Sequence, residues 1–277
     1  MVSSDYLGGG AFVIEYRQTL ISIEDLSYSI GGKLILRDIN KEIKDIVGRG
    51  QIVALLGPSG VGKTTLFNLL SGFLEPTTGR ILAHMTADGV QEVHSHIMGV
   101  VRQDYPLFEH RTVMSNLKLV CKTPESKIRC ELLLEQFHLA DQRDKYPCQL
   151  SGGQRQRVAI IQQILCSDKY ILMDEPFSGL DIIAKCEVCK LIKDVASMDE
   201  ENTIIIVTHG IEDALKVADT IWMLGRDRDA QGNIVPGAYI KKDISLIERG
   251  LSMGCCAIKD PKYYDLIKEI QKDFMEL

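Results

Sequence analysis

"GPSGVGKTT" (57–65) is the stretch on which the reading of the fold turns. Gly57 to Thr64 fits G-x-x-x-x-G-K-[ST], a loop whose glycines let the backbone curl so that successive N–H groups face phosphate oxygens. Lys63 would reach the β- and γ-phosphates of a nucleotide, and the Thr64 hydroxyl would bind Mg2+. The candidate phosphate-binding residues are Gly57, Pro58, Ser59, Gly60, Val61, Gly62, Lys63, Thr64 and Thr65. The flanks agree with this reading. "QIVALLG" (51–57) is an apolar strand running into the loop, and "GKTTLFNLLSG" (62–72) reads as a helix closed by Gly72.

Further out, "YILMD" (170–174) and "TIIIVT" (203–208) are continuous apolar runs, as expected of strands buried on both faces. "IMGVVRQ" (97–103) reads as another strand, and "LISIEDLSYSI" (20–30) alternates like strands with one buried face. Between residues 104 and 150 the pattern turns helical, in "TVMSNLKLV" and in "PESKIRCELLLEQFHL", where Pro124 suits a helix start. "SGGQRQRVAIIQQILC" (151–166) opens a further helix. Strands alternating with helices imply a mostly parallel sheet with right-handed crossovers. The expected class is α/β, a P-loop NTPase with a mostly parallel sheet, an N-terminal antiparallel β subdomain and an inserted helical lobe at about 104–165. Residues 1–19, with "GGG" at 8–10, read as a loose leader before a domain over 20–250. The tail, 251–277, places Tyr263, Ile267, Ile270, Phe274 and Leu277 at helical spacing, either to dock on the domain or to offer a dimer or partner contact.

With 277 residues, 45% hydrophobic and 25% charged, the composition is that of a globular chain with a sizeable core. A net charge of −6 argues against nucleic acid as the main partner, since phosphate-backbone binding leans on basic surfaces. The eight cysteines show no paired metal-ligand spacing. Cys186 and Cys189 stand one helical turn apart, and Cys255 and Cys256 stand alone, so reduced thiols are expected. His94 and His96 ("HSH") lie in a polar stretch and read as a solvated hairpin rather than a metal site. The N-terminus has no basic start, and no run approaches the ~18 apolar residues of a membrane span.

Several other residues carry chemistry. "YILMDEP" ends an apolar strand in Asp174, placed to hold Mg2+, and Glu175, placed to take a proton from a water aimed at a γ-phosphate. His209 follows the strand "TIIIVT", at the strand end where ligands of open α/β sheets bind, and reads as a γ-phosphate contact. Gln103 ends a strand at the border of the helical stretch, where its amide can meet Mg2+ or the attacking water; by itself it reads as a surface glutamine. "LSGGQRQR" (150–157) offers a second helix N-terminus for phosphate, with Ser151, Gly152, Gly153 and Gln154 as candidates. One chain thus carries two phosphate-binding elements.

In order, "GPSGVGKTT", Gln103, "LSGGQ", "YILMDEP", "SGLD" and His209 resemble the ATP-binding cassette (ABC) ATPases, over roughly residues 20–245. The resemblance implies ATP and Mg2+ as cofactors, with Thr64, Gln103 and Asp174 at the metal. It implies Gln103 as the residue coupling sheet to helical lobe, Glu175 as catalytic base, His209 as γ-phosphate sensor and Asp181 at a subunit interface. It also accounts for the second element. Two cassettes of this family meet head to tail, so Ser151, Gly152 and Gly153 would bind the ATP of a homodimeric or paired ABC ATPase subunit. There are departures. The family's adenine-stacking aromatic is replaced by Ile30, and Tyr28, two residues earlier, either stacks on the base or packs in the core. Arg102 stands where the family often has Phe, and "IIQQIL" replaces a commoner run after "LSGGQ".

The implied function is an ATP-hydrolysing subunit, cytoplasmic and peripheral on the inner face of the cell membrane, driving separate integral membrane permease subunits. The stretch after His209 is loosely similar to nitrate, sulfonate and taurine-type importer ATPases, which points to a prokaryotic importer of a small solute. The alternatives are the same motor in an export or lipid-trafficking complex, or a soluble ABC ATPase acting on DNA or ribosomes.

Overall fold

The computed structural model describes residues 14–85, 89–95, 97–121, 123–167, 169–251 and 261–275. The first thirteen residues of the expected leader, His96, Cys255, Cys256 and Leu277 lie outside the described residues. In chain order the elements are β1 (Tyr16–Ile30), β2 (Lys33–Ile46), β3 (Gln51–Leu56), α1 (Lys63–Leu70), β4 (Thr78–Met85), β5 (Gly89–Glu92) and β6 (Gly99–Val101). Next come α2 (Val113–Lys118), α3 (Pro124–Gln136), α4 (Gly152–Cys166), β7 (Tyr170–Asp174) and α5 (Ile182–Ala196). The elements β8 (Thr203–Thr208), α6 (Ile211–Val217), β9 (Thr220–Gly225), β10 (Tyr239–Ser245) and α7 (Pro261–Met275) follow.

Two sheets form. One is antiparallel, ordered β2-β1-β4-β5. The other is ordered β10-β9-β3-β8-β7-β6, parallel from β9 through β6, with β10 antiparallel at its edge. Every residue of β3 and of β8 is buried, as their unbroken apolar runs require. Between the two sheets, α1 inserts Leu66, Phe67, Leu69 and Leu70 against Leu20, Ile21 and Ile23 of β1 and Val53 and Leu55 of β3. Tyr170 joins the sheets as well: its buried hydroxyl lies 2.6 Å from the His84 carbonyl and 3.1 Å from that of Leu20. On the other face, α2, α3, α4 and α5 share one apolar cluster with β7 and β8.

Three expectations need adjusting. Residues 16–19 are not leader but strand: Tyr16 pairs with Ile46 and Thr19 with Lys44, and the Glu15 carbonyl accepts from the Val47 N–H. Backbone ladder bonds hold this polar start, so it shows no apolar alternation until Leu20. The strand read over 97–103 spans only Gly99–Val101, which leaves Gln103 in the turn beyond it. His94 is exposed just past β5 rather than in a hairpin turn. In the tail, α7 buries Tyr263, Leu266 and Ile270 against Ile221, Met223 and Ile244, so this helix packs on the domain. Among the described residues, Cys121, Cys130, Cys148, Cys186 and Cys189 are free thiols.

One buried carboxylate ties the sheet together. Asp219, 4% exposed, accepts from the Ile52 N–H at 2.9 Å and pairs with Arg49. Its own backbone bonds Ile52 and Leu246 at 2.8 Å each. Asp219→Ala strands a buried N–H of β3 and is expected to cost about 1–3 kcal/mol, seen as a lower urea midpoint. Asp219→Asn, which keeps an acceptor, should recover part of that loss.

Candidate functional site

The site begins where β3 ends. The chain leaves Leu56 into the 57–62 loop and re-enters regular structure at Lys63, the first residue of α1. Gly62 sits at φ +123° with Leu36 Cδ2 only 3.1 Å from where a Cβ would be, a position closed to side-chain-bearing residues. Lys63 is buried and folds back over its own loop, donating to the carbonyls of Gly57 at 2.7 Å and Pro58 at 2.9 Å. Burial pulls its pKa below the ordinary lysine value, and the Glu175 and Asp174 carboxylates act against that pull. Arg226, just past β9, donates through Nη2 to two further carbonyls of the loop, Gly60 at 3.0 Å and Val61 at 3.1 Å. Four loop carbonyls therefore face two cations. Arg226 is held in turn by its neighbour: Asp227 pairs with Arg37 of β2 and accepts from the Tyr239 hydroxyl at 3.1 Å.

The acidic half comes from β7 and β8, which are neighbours in the sheet. Asp174 lies opposite Val207, so Glu175 emerges beside Thr208 and His209. The Glu175 N–H donates to the Val207 carbonyl at 2.9 Å, and its φ is +46°, rare for a residue with a side chain. Its Oε1 is 2.8 Å from His209 Nδ1, and its Oε2 accepts from the Thr208 hydroxyl at 3.3 Å. Asp174 is half-buried. Burial and then the Glu175 charge raise its pKa, while Arg102 and Lys63 oppose the rise. A carboxylate in that position gains from a cation beside it. Asp174, the Thr64 hydroxyl at the start of α1 and the Gln103 amide are oxygen donors of the hard kind that Mg2+ prefers. Among the described residues no three His, Cys, Asp or Glu side chains gather as a metal cage. A Mg2+ ion here would share its ligation with phosphate oxygens, as that ion usually does.

Lys63, Asp174, Glu175 and His209 thus come together at the carboxyl ends of β3, β7 and β8. Gln103 stands at the border of this group, its Nε2 donating to Ser178 Oγ at 3.2 Å in the loop that follows Glu175.

The "LSGGQ" stretch is built differently. Ser151 caps α4, its Oγ accepting from the Gln154 N–H at 3.3 Å while Gln154 Oε1 accepts from the Ser151 N–H at 2.9 Å. These bonds close on one another rather than on the 57–65 loop. Ser151, Gly152 and Gly153 are exposed. Asp181 caps α5, accepting from the Ala184 N–H at 2.9 Å, and the next two residues, Ile182 and Ile183, are 80% and 75% exposed. Tyr28 is half-buried against the cluster between the sheets, opposite Leu36, while Ile30 at the hairpin is 60% exposed.

A family model described as ABC transporter matches residues 41–178. The sulfate/thiosulfate import ATP-binding protein CysA of Thermosynechococcus vestitus (strain NIES-2133 / IAM M-273 / BP-1) is 38% identical over 216 residues, 76% of this chain and 63% of that protein. CysA of Escherichia coli (strain K12) is 36% identical over 223 residues, 77% of this chain and 58% of that one. Among solved structures, cbiO1 from Clostridium perfringens, part of the ABC transporter complex cbiONQ, superposes with a TM-score of 0.68. It is 27% identical and covers 91% of this chain and 100% of its own. Fold and matches together define the class, an α/β domain of the ABC transporter ATPase type. Through this domain the chain belongs to the ABC transporter family, and it spans 58–63% of the length of these CysA relatives.

Sequence reading did not find Arg226. No motif surrounds it, and only the pairing of β9 with β3 brings it to the loop. Arg226→Ala removes two charge-assisted bonds and is expected to weaken ATP binding about tenfold, read by calorimetry. Arg226→Lys should lose less, and an unchanged affinity in the alanine variant would show that the loop keeps its shape without this brace.

Proposed function

We propose that this chain is the ATP-hydrolysing subunit of an ABC transporter and drives a separate membrane permease in prokaryotic import of a small solute. The observation that carries the reading is the convergence of the Lys63 loop with Asp174, Glu175 and His209 on three adjacent strand ends. Gly57 to Thr65 would cradle the phosphates of ATP, with Lys63 exchanging its carbonyl partners for the β- and γ-phosphates. Thr64, Asp174 and Gln103 would hold Mg2+, which when bound neutralises charge on the phosphate oxygens. Glu175 would take the proton from the attacking water, and His209, already bonded to that carboxylate, would orient it and contact the γ-phosphate. The adenine would meet Ile30, exposed at the hairpin, or stack on the half-buried Tyr28 two residues earlier.

The partner is a second cassette, either a copy of this chain or a paired ABC ATPase subunit. Ser151, Gly152, Gly153 and Gln154 would face its nucleotide, and Asp181 with the exposed Ile182 and Ile183 would meet its surface. The permease is the other partner. No helix among the described residues is long and apolar enough to cross a membrane. A groove of about 610 Å³ between the sheet edge and the helical lobe is lined by Phe73, Leu119, Val120 and Leu165, with Arg102 beside Gln103 at its rim. We place a short permease helix in it, which sets the chain on the inner face of the cell membrane. Import, rather than export, lipid trafficking or work on DNA or ribosomes, follows the relatives named for import.

Glu175→Gln keeps shape and removes the base, so steady-state ATP hydrolysis should fall about 10²–10⁴-fold while ATP binding persists. Wild-type turnover in this variant would rule out Glu175 as the base.

The shared-site reading has its own check. In a Glu175→Gln background, Ser151→Arg and Lys63→Ala each damage both sites of a dimer, and neither alone should pair with ATP. Mixed, they form a heterodimer in which one site carries both lesions and the other neither. ATP-dependent dimer on size-exclusion chromatography should therefore return only in the mixture. If each site lay within one chain, every chain would keep its lesion and nothing would return.

A further inference from the structure

The residue after the proposed base has a carbonyl that two parts of the chain converge upon. Pro176 O accepts from Gln156 Nε2 at 3.2 Å and lies 3.4 Å from the Tyr105 hydroxyl. Gln156 is 1% exposed and sits on α4, five residues past the helix cap Ser151. Tyr105 lies two residues past Gln103, at φ +44°, with its ring against the apolar cluster of the helical lobe. Burial pushes its phenol up to about 12, so it stays a donor at neutral pH. On the other side, the Glu175 N–H is fixed to Val207 O at 2.9 Å, and the Ser178 N–H closes the turn on Glu175 O at 3.1 Å. The strained Glu175 backbone is thus clamped from β8 in front and from α4 and the 103–105 turn behind. Proline has no N–H, so the Pro176 carbonyl is the one backbone hydrogen-bonding group that residue offers.

We propose that Gln156 is a positioning residue for Glu175: its buried amide, seconded by the Tyr105 hydroxyl, holds the Pro176 carbonyl and thereby ties the carboxylate to the helix that begins at "LSGGQ". The inference rests on the reading of Glu175 as base. A helix is stiff over the ~7.5 Å between Ser151 and Gln156, at ~1.5 Å per residue. Engagement of the cap by a partner's nucleotide then shifts Gln156 along with Ser151, and the Pro176 carbonyl follows. The carboxylate of one site is set by occupancy of the other.

The test uses the full chain. Gln156→Met keeps the volume of the buried side chain and removes the donor. The expected result is a fall in kcat of tenfold or more, with ATP affinity within twofold of wild type. In the Glu175→Gln background the same substitution should change the residual rate less than twofold, because there is no base left to position. The proposal is overturned if folded Gln156→Met keeps kcat within tenfold of wild type, if ATP affinity falls in step with the rate, or if the loss is as large in the Glu175→Gln background. If Gln156→Met does not fold, Tyr105→Phe decides alone: a threefold or greater loss of kcat at unchanged affinity supports the clamp, and a smaller loss overturns it. Wild-type turnover by Glu175→Gln itself would sink the base and the clamp together, so the two failures are told apart.

Discussion

Three parallel strands end level with one another. Leu56 of β3 lies opposite Thr208 of β8, and Asp174 of β7 lies opposite Val207. The phosphate loop starts one residue beyond β3, Glu175 one residue beyond β7 and His209 one residue beyond β8. A slip of one residue between β7 and β8 would turn Glu175 away from Thr208 and His209, because side chains alternate faces along a strand, and a slip between β3 and β8 would move the phosphate loop past them. The register is held by burial on both faces: in β3 and β8 no side chain reaches solvent, so either slip would drag polar ends into the core. The chemistry at the strand ends inherits its precision from this apolar packing.

Charge at those ends is deliberately unbalanced. Lys63 is buried with only backbone carbonyls as hydrogen-bond partners, and Asp174 is half-buried next to a second carboxylate. Such groups are costly in a protein interior unless partnered. Each lacks what a magnesium–nucleotide complex carries, anionic oxygens for the lysine and a cation for the carboxylates. Binding of such a complex would relieve both at once, and the strained Glu175 backbone between them is held by bonds on either side. Backbone strain confined to one residue amid fixed neighbours is the pattern expected where geometry is kept for chemistry.

The elements legible in the sequence were those whose signal is local. Apolar runs announced β3, β7 and β8, Pro124 the start of α3, and the glycine-rich loop the start of α1. What escaped depends on distant partners. Tyr16 to Thr19 are strand because β2 lies alongside, and their side chains carry no mark of it. The end of β6 comes early because its one sheet neighbour, β7, pairs only with Gly99 to Val101, which moves Gln103 into a turn. Leu266 joins the buried face of α7 in place of the more exposed Ile267, a rotation of the helix that spacing alone does not fix. Arg226 and Gln156 act through backbone carbonyls, and a carbonyl acceptor leaves no trace in the sequence that supplies it.

The glycines of "LSGGQ" show the same limit from the other side. Gly152 and Gly153 occupy the first turn of α4 with ordinary backbone angles, and a Cβ added to either would meet nothing within 4 Å. Inside one chain nothing asks for glycine there, and alanine would favour the helix by about 1 kcal/mol at each position. Ser151 satisfies the N–H of Gln154 and leaves the N–H groups ahead of it facing outward. A helix end that gives up local stability, keeps its surface bare and leaves donors unspent is shaped for something that approaches closely and carries negative charge. The phosphate loop of the same chain is out of reach of that role, since its partners are drawn from its own flanks and from Arg226. A second cassette carrying a nucleotide would supply that demand, and the buried Gln156 further along the same helix is where the response would pass inward.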